Sequence, residues 1–153
     1  MPSPVHDPGS GLLNGHYFTA ALPNRVATAR RVLRPLSLVL VDAADASPDT
    51  VHALTYALHD TLRESDTACR LDDGRFALIL EDTPEDGAVW TVERVRRLLG
   101  EQGQEVVVWA GIAAYPAHAL DHEALLGLTE QALADAKAWG AHSRIEVAPA
   151  PTG

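Results

Sequence analysis

The run LSLVLVD, Leu36 to Asp42, sets the tightest limit on what this chain can become. It is short and almost wholly apolar, so it reads as a central strand buried on both faces, closing on a carboxylate at its C-terminal end. EVVVWAGIAAY, Glu105 to Tyr115, is β-branched and apolar enough for a second central strand.

Helical spacing fills the stretches around these runs. A helix from about residue 14 to 33 places Phe18, Leu22, Val26, Ala29 and Leu33 near one face, with Pro23 expected to kink or divide it. Ser47 suits an N-cap and Pro48 the first position of a second helix to about Arg63, with Val51, Leu54, Leu58 and Leu62 inward. Thr83, in TPED, is an N-cap candidate for a third helix to about Leu99, where Gly100 stops it. Asp121 caps a last long helix that Gly140 ends. RLDDGRFALIL, Arg70 to Leu80, gives two short strands about an acidic tip, Asp73-Gly74 being a favoured two-residue hairpin turn, and RIEVA, Arg144 to Ala148, adds an edge strand. The order is helix, βαββαβ, helix, strand. It predicts an α+β domain, a mixed sheet with helices packed on it in the ferredoxin-like manner.

A chain of 153 residues has room for one domain. Residues 1–10 and 149–153, rich in Pro, Ser and Gly, are expected to be flexible, and 11–148 to form the fold. The formal charge is −9, from 21 acidic and 12 basic side chains, so duplex nucleic acid and anionic membranes are repelled. A nucleotide ligand would need a local basic patch. Cys69 is the only cysteine and excludes an internal disulfide. No segment has the roughly 18 apolar residues of a membrane span, and the start lacks signal-peptide character, so a soluble, cytoplasmic protein is expected.

Several stretches together resemble a known family. DPGSGLLNGHYF, Asp7 to Phe18, resembles the opening D-x-L-T-G-L-x-N-R-x-x-F of GGDEF domains, the diguanylate cyclases that condense two GTP into cyclic di-GMP. PLSLVLVD resembles their first strand with its metal-binding Asp, here Asp42, and RLDDGRFALIL stands where R-x-G-G-[DE]-E-F belongs. GIAAYPAH and LLGLTEQALADAKAWG resemble the following strand and the final helix. The resemblance spans about Asp7 to Ile145. It implies the βαββαβ core of the nucleotidyl cyclase palm, with an extra N-terminal helix and a C-terminal helix plus edge strand.

The departures from the family pattern carry as much meaning. With Phe76 aligned, the signature reads Asp72-Asp73-Gly74-Arg75-Phe76, so acids replace both turn glycines and glycine replaces the metal-binding acid. In the family that acid and the strand-end Asp hold two divalent ions, which activate a ribose hydroxyl and neutralise the transferring phosphoryl group. Asp42 is left as a vestigial ligand. The loop that reads guanine is reduced to AADASPDTVH, and Lys137 matches a phosphate-binding lysine whose expected arginine partner is Ala141, with Arg144 only a shifted substitute. The resemblance thus implies a degenerate, catalytically inactive domain with no cofactor and no metal. A residual cyclase would need Asp72 or Asp73 to shift into metal reach of Asp42.

RESD, Arg63 to Asp66, lies five residues before the signature, the spacing of the R-x-x-D site by which many of these cyclases bind their product. Arg94 stands where the family often adds a second arginine, and Arg70 and Arg97 are possible accessories. A guanidinium can donate to guanine O6 and N7, and a carboxylate can accept from its N1–H and N2–H. The resemblance therefore implies a cyclic di-GMP receptor or regulator using Arg63, Asp66 and Arg94. The alternatives are structural salt bridges at those residues and a ligand-free interaction module that docks another signalling protein or a second copy as a dimer. His118 and His122 read as loop histidines, His52 and His59 as helix surface, and Trp90, Trp109 and Trp139 as core or interface anchors, Trp139 being the candidate exposed contact.

Overall fold

Leu36 to Asp42 does run through the middle of the molecule. In the computed structural model, which describes residues 5–140 and 142–151, β2 spans Leu36–Ala43. Ahead of it lie β1, Leu13–Asn14, and α1, Gly15–Val32. After it come α2, Pro48–Thr61; β3, Thr67–Arg70; β4, Phe76–Glu81; α3, Glu85–Glu101; β5, Val108–Tyr115; α4, His122–Ala138; and β6, Arg144–Val147.

The strands form one sheet in the order β1-β3-β4-β2-β5-β6. The four inner strands are antiparallel neighbours with ferredoxin-like connectivity, as expected, and β1 and β6 add parallel edges. Because strand side chains alternate, β2 sends Leu36, Leu38 and Leu40 into one core layer and Val39 and Val41 into the other. The leucine layer is closed by α1 and α4 through Phe18, Leu22, Leu125 and Leu133, the valine layer by α2 and α3 through Leu54, Leu58, Val92 and Val95. Each such fully buried side chain contributes about 1.5–3 kcal/mol relative to exposure. Gly111 in β5 lets α4 lie directly on the sheet: a Cβ there would stand 2.3 Å from the Leu133 nitrogen and 2.5 Å from the Thr129 oxygen.

Several local expectations change. Pro23 does not divide α1. The strand β1 was not anticipated; Asn14 ends it and caps α1, its Oδ1 accepting from Tyr17 N at 3.0 Å. Thr83 is not a cap, since α3 begins after Pro84 without a side-chain cap bond, and the helix runs through Gly100 to Glu101 before Gly103 turns the chain at φ 78. The proposed flexible N-terminus is bound to the fold from Val5 onward: His6 bridges Leu13, Asp7 N donates to Leu12 O at 2.7 Å, and Asn14 N donates to Val5 O at 2.8 Å. Residues 1–4 and 152–153 lie outside the described residues.

Candidate functional site

Asp42 ends the apolar part of β2, beside Phe76 of β4, which pairs with Val41, and directly across from Trp109 of β5. Its Oδ2 is hydrogen-bonded by Lys137 Nζ, from the far end of α4, and its Oδ1 accepts from Ala43 N at 3.0 Å. Lys137 also lies 5.7 Å from the Trp109 ring centroid. The strand-end carboxylate is therefore neutralised from within the chain.

The hairpin beside it is a three-residue loop, Asp72 to Gly74, and not the expected two-residue Asp73-Gly74 turn. Leu71 N bonds Arg75 O at 2.8 Å and Gly74 N bonds Leu71 O at 2.9 Å. Of the tip residues only Gly74 has positive φ, 93°, whereas the two-residue turn needs both central residues there. Asp73 turns to Arg75, 2.7 Å from its Nε, and Arg75 also reaches Glu130 at 3.6 Å. The family's ion pair needs converging carboxylates. Asp42 is committed to Lys137, Gly74 has no side chain, and no group of three or more His, Cys, Asp or Glu suited to a metal exists among the described residues. The residues present do not fit the metal ions.

Arg63 and Asp66 come together where α2 ends. Arg63 N donates to Asp66 Oδ2 at 2.9 Å, Asp66 N donates to Arg63 O at 3.0 Å, and the guanidinium Nε stands 3.5 Å from Asp66. Arg63 Nη2 also donates to Glu81 O at 2.6 Å and Thr83 Oγ1 at 2.7 Å, which ties the end of α2 to the β4–α3 junction. The Arg63 side chain is still 56% exposed, while that of Asp66 is 5% exposed. An open hollow of about 430 Å³ adjoins the pair, lined by His59, Glu64 and the N-terminal loop at Gly11. Glu81 and Thr83 were missed as members of this corner, because no local pattern announces a bond to Arg63.

The other arginines go elsewhere. Arg94 pairs at 3.5 Å with Asp60, in the last turn of α2, and does not line the hollow. Arg70 turns to Asp7 at 3.8 Å and lies 5.7 Å from the Phe76 ring centroid. Arg97 lines a separate hollow with Glu93 and Arg96. Arg144 is occupied by Glu146 at 2.5 Å and stacks 3.9 Å from the Trp139 ring centroid.

Among the remaining candidates, the His118 side chain is 5% exposed; its Nδ1 accepts from Ala114 N at 2.9 Å, and its Nε2 stands 2.8 Å from Glu85. His122 stands 4.0 Å from Glu123 and shares no ligand set with His118. Trp139 is exposed, as expected, but so is Trp90, which is not a core residue. Burial pushes the Cys69 thiol up to about 12, which makes it an inert core side chain.

The family model for the diguanylate cyclase GGDEF domain matches residues 49–143. The diguanylate cyclase DosC of Escherichia coli K12 is 24% identical over 155 aligned residues, covering 89% of this chain and 33% of its own length. This chain thus spans about a third of that relative. Among solved structures, the GGDEF domain of YfiN (TpbB) from Pseudomonas aeruginosa superposes with a TM-score of 0.82 at 24% identity, covering 94% of each chain. The GGDEF domain of DgcB from Caulobacter crescentus, in complex with c-di-GMP, gives 0.84 at 16% identity, covering 97% of this chain and 98% of that one.

Proposed function

This chain belongs to the GGDEF, diguanylate cyclase family, and within it we propose a catalytically inactive member that acts by binding, a receptor or regulator for cyclic di-GMP. The observation that carries the loss of catalysis is glycine at position 74, where the family has its second metal-binding acid, beside an Asp42 already paired with Lys137. A carboxylate already neutralised by an ammonium, with glycine at the second ligand position, has nothing with which to gather two divalent ions. Two further acids at the tip, Asp72 and Asp73, repel a triphosphate.

The binding site proposed is the Arg63–Asp66 corner. Arg63 presents a half-exposed guanidinium at an open hollow, with Nη1 free of partners among the described residues. Arg94 joins the site only by leaving Asp60, an exchange of one exposed ion pair that costs at most about 1 kcal/mol. The solved DgcB domain of the same fold holds c-di-GMP, which supports the choice of ligand.

The alternative function, a ligand-free module that docks a signalling protein or a second copy, is favoured by one observation. Asp66 is buried and already accepts the Arg63 backbone N–H, a tie that serves the fold without any ligand. Calorimetry separates the two. Cyclic di-GMP should release heat with the wild-type chain and none with Arg63→Ala, and a ligand at 100 times its dissociation constant should add about 2.7 kcal/mol of stability. No heat and no melting shift at saturating cyclic di-GMP leaves the docking module. Product formed from GTP and magnesium would overturn the inactivity.

A further inference from the structure

A hollow of about 150 Å³ opens between the end of α1 and the β4–α3 junction. It lies in the leucine layer under α1, on the opposite face of the sheet from α2 and the hollow at Arg63. Ala29 and Leu36, both buried, give it an apolar floor, and half-exposed Val32 gives it a wall. A cavity of about that volume holds a molecule the size of benzene.

Four charged side chains also line it, two of each sign. Arg34 and Asp82 satisfy one another, Nη1 donating to Oδ2 at 2.7 Å. Arg25 and Glu81 do not. Arg25 Nη2 donates to Tyr17 OH at 3.2 Å, but its Nε is buried without a hydrogen bond, although Glu81 Oε1 stands 3.5 Å away. The Glu81 carboxylate accepts no hydrogen bond among the described residues. One hollow thus holds a donor and an acceptor that are both unsatisfied, and a buried donor without an acceptor is costly to leave so.

The backbone around the hollow is strained. Leu33 and Asp82 are the two non-glycine residues with positive φ among the described residues, at 57° and 51°. Asp82 lines the hollow, and Leu33 lies between Val32 and Arg34, which also line it. Strain of this kind collects at ligand sites, where the surroundings hold it in place.

We propose that this hollow binds a small aliphatic α-amino acid, its carboxylate on Arg25 Nε, its ammonium on Glu81 and its side chain against Ala29 and Leu36. The charge balance selects this class. A plain carboxylate meets the acids Glu81 and Asp82, and a plain amine meets Arg25 and Arg34, whereas a zwitterion finds one unsatisfied group of each sign. The two charged groups of an α-amino acid sit on one carbon, so they reach two protein groups that stand as close together as Arg25 Nε and Glu81 Oε1. L-valine, with about eight heavy atoms, suits the volume once its charged groups lie at the mouth. The site does not rest on nucleotide binding.

Titration of L-valine into the ¹⁵N-labelled full chain, followed by NMR, tests it. The backbone amides of Ala29, Val32 and Asp82 should shift saturably, with a dissociation constant of about 1–10 mM. Isovalerate and isobutylamine, each with the same branched body and one of the two charges, should bind about ten-fold more weakly. Val32→Phe crowds the hollow from a half-exposed position, and Arg25→Met removes the donor but keeps the stem. Each should weaken L-valine binding about ten-fold or more while the spectrum remains that of a folded chain. No saturable shift by about 50 mM L-valine, isovalerate binding as tightly as L-valine, or undiminished binding in either folded variant overturns the proposal. So do saturable shifts that leave these three amides unmoved.

Discussion

Lys137 donates a hydrogen bond to Asp42, 95 residues away in sequence, and so places an ammonium where the family gathers divalent metal. The pair is partly exposed, at 40% and 25% of the two side chains. Lys137→Ala is therefore expected to cost no more than about 1 kcal/mol in urea unfolding. It should leave Mn²⁺ binding undetectable by relaxation, because a single carboxylate remains.

Restoring the missing acid should not restore turnover. Gly74 sits at φ 93, and a non-glycine residue in the left-handed region costs about 1–2 kcal/mol. Gly74→Glu is expected to lower stability by that amount and to yield no cyclic di-GMP from GTP and magnesium, measured by chromatography of the products.

Gly111 admits no side chain. A Cβ would meet α4 backbone atoms at 2.3 and 2.5 Å, and neither the sheet nor the helix can yield by that much alone. Gly111→Ala should cost about 3 kcal/mol or more, seen as a large fall in melting temperature, or fail to fold.

Arg63 serves the fold even without a ligand. Its guanidinium bonds Glu81 O and Thr83 Oγ1, so Arg63→Ala should lose about 1–3 kcal/mol of stability in nucleotide-free buffer. A calorimetric null with this variant is informative only if its melt shows it folded at the titration temperature.

Asp45 predicts a component of acid sensitivity. Hydrogen bonds from Ser47 N at 2.9 Å, the Thr50 hydroxyl at 3.0 Å and the Ser47 hydroxyl at 3.1 Å lower its pKa below the ordinary 3.8. A depressed carboxyl stabilises the fold above its unfolded value, and that stabilisation is lost as pH falls below 3.8 through the folded value. Urea midpoints measured from about pH 5 to about pH 2 should fall less steeply for Asp45→Asn than for the wild type.

Local chemistry made much of the architecture legible. Ser47 and Asp121 accept the N–H bonds of Thr50 and Ala124 as caps should, and the alternation in Leu36 to Val41 feeds two core layers. Trp90 stood open between core and interface because an aromatic side chain has the same pattern value whether its helix face meets the sheet or water, and the structure rules out only the core. The hairpin tip was misjudged because its turn type follows from the register of β3 on β4, Arg70 against Phe76, which the tip residues alone do not determine. Thr83 was misjudged because its hydroxyl and carbonyl are claimed by Arg63 and Ser37 from other elements.

By itself the sequence determined every element but β1, the order of the rest, the family likeness and the absence of an acid at position 74, since these depend on residue identity and spacing of a few positions. Only the tertiary structure decided which charges meet. It joined Asp42 to Lys137, Arg94 to Asp60, Arg70 to Asp7, and Arg63 to both Asp66 and the β4–α3 junction. The physical reason is range. Helix and strand periodicity act over one or two turns of chain, whereas an ion pair depends on where packing brings two distant segments.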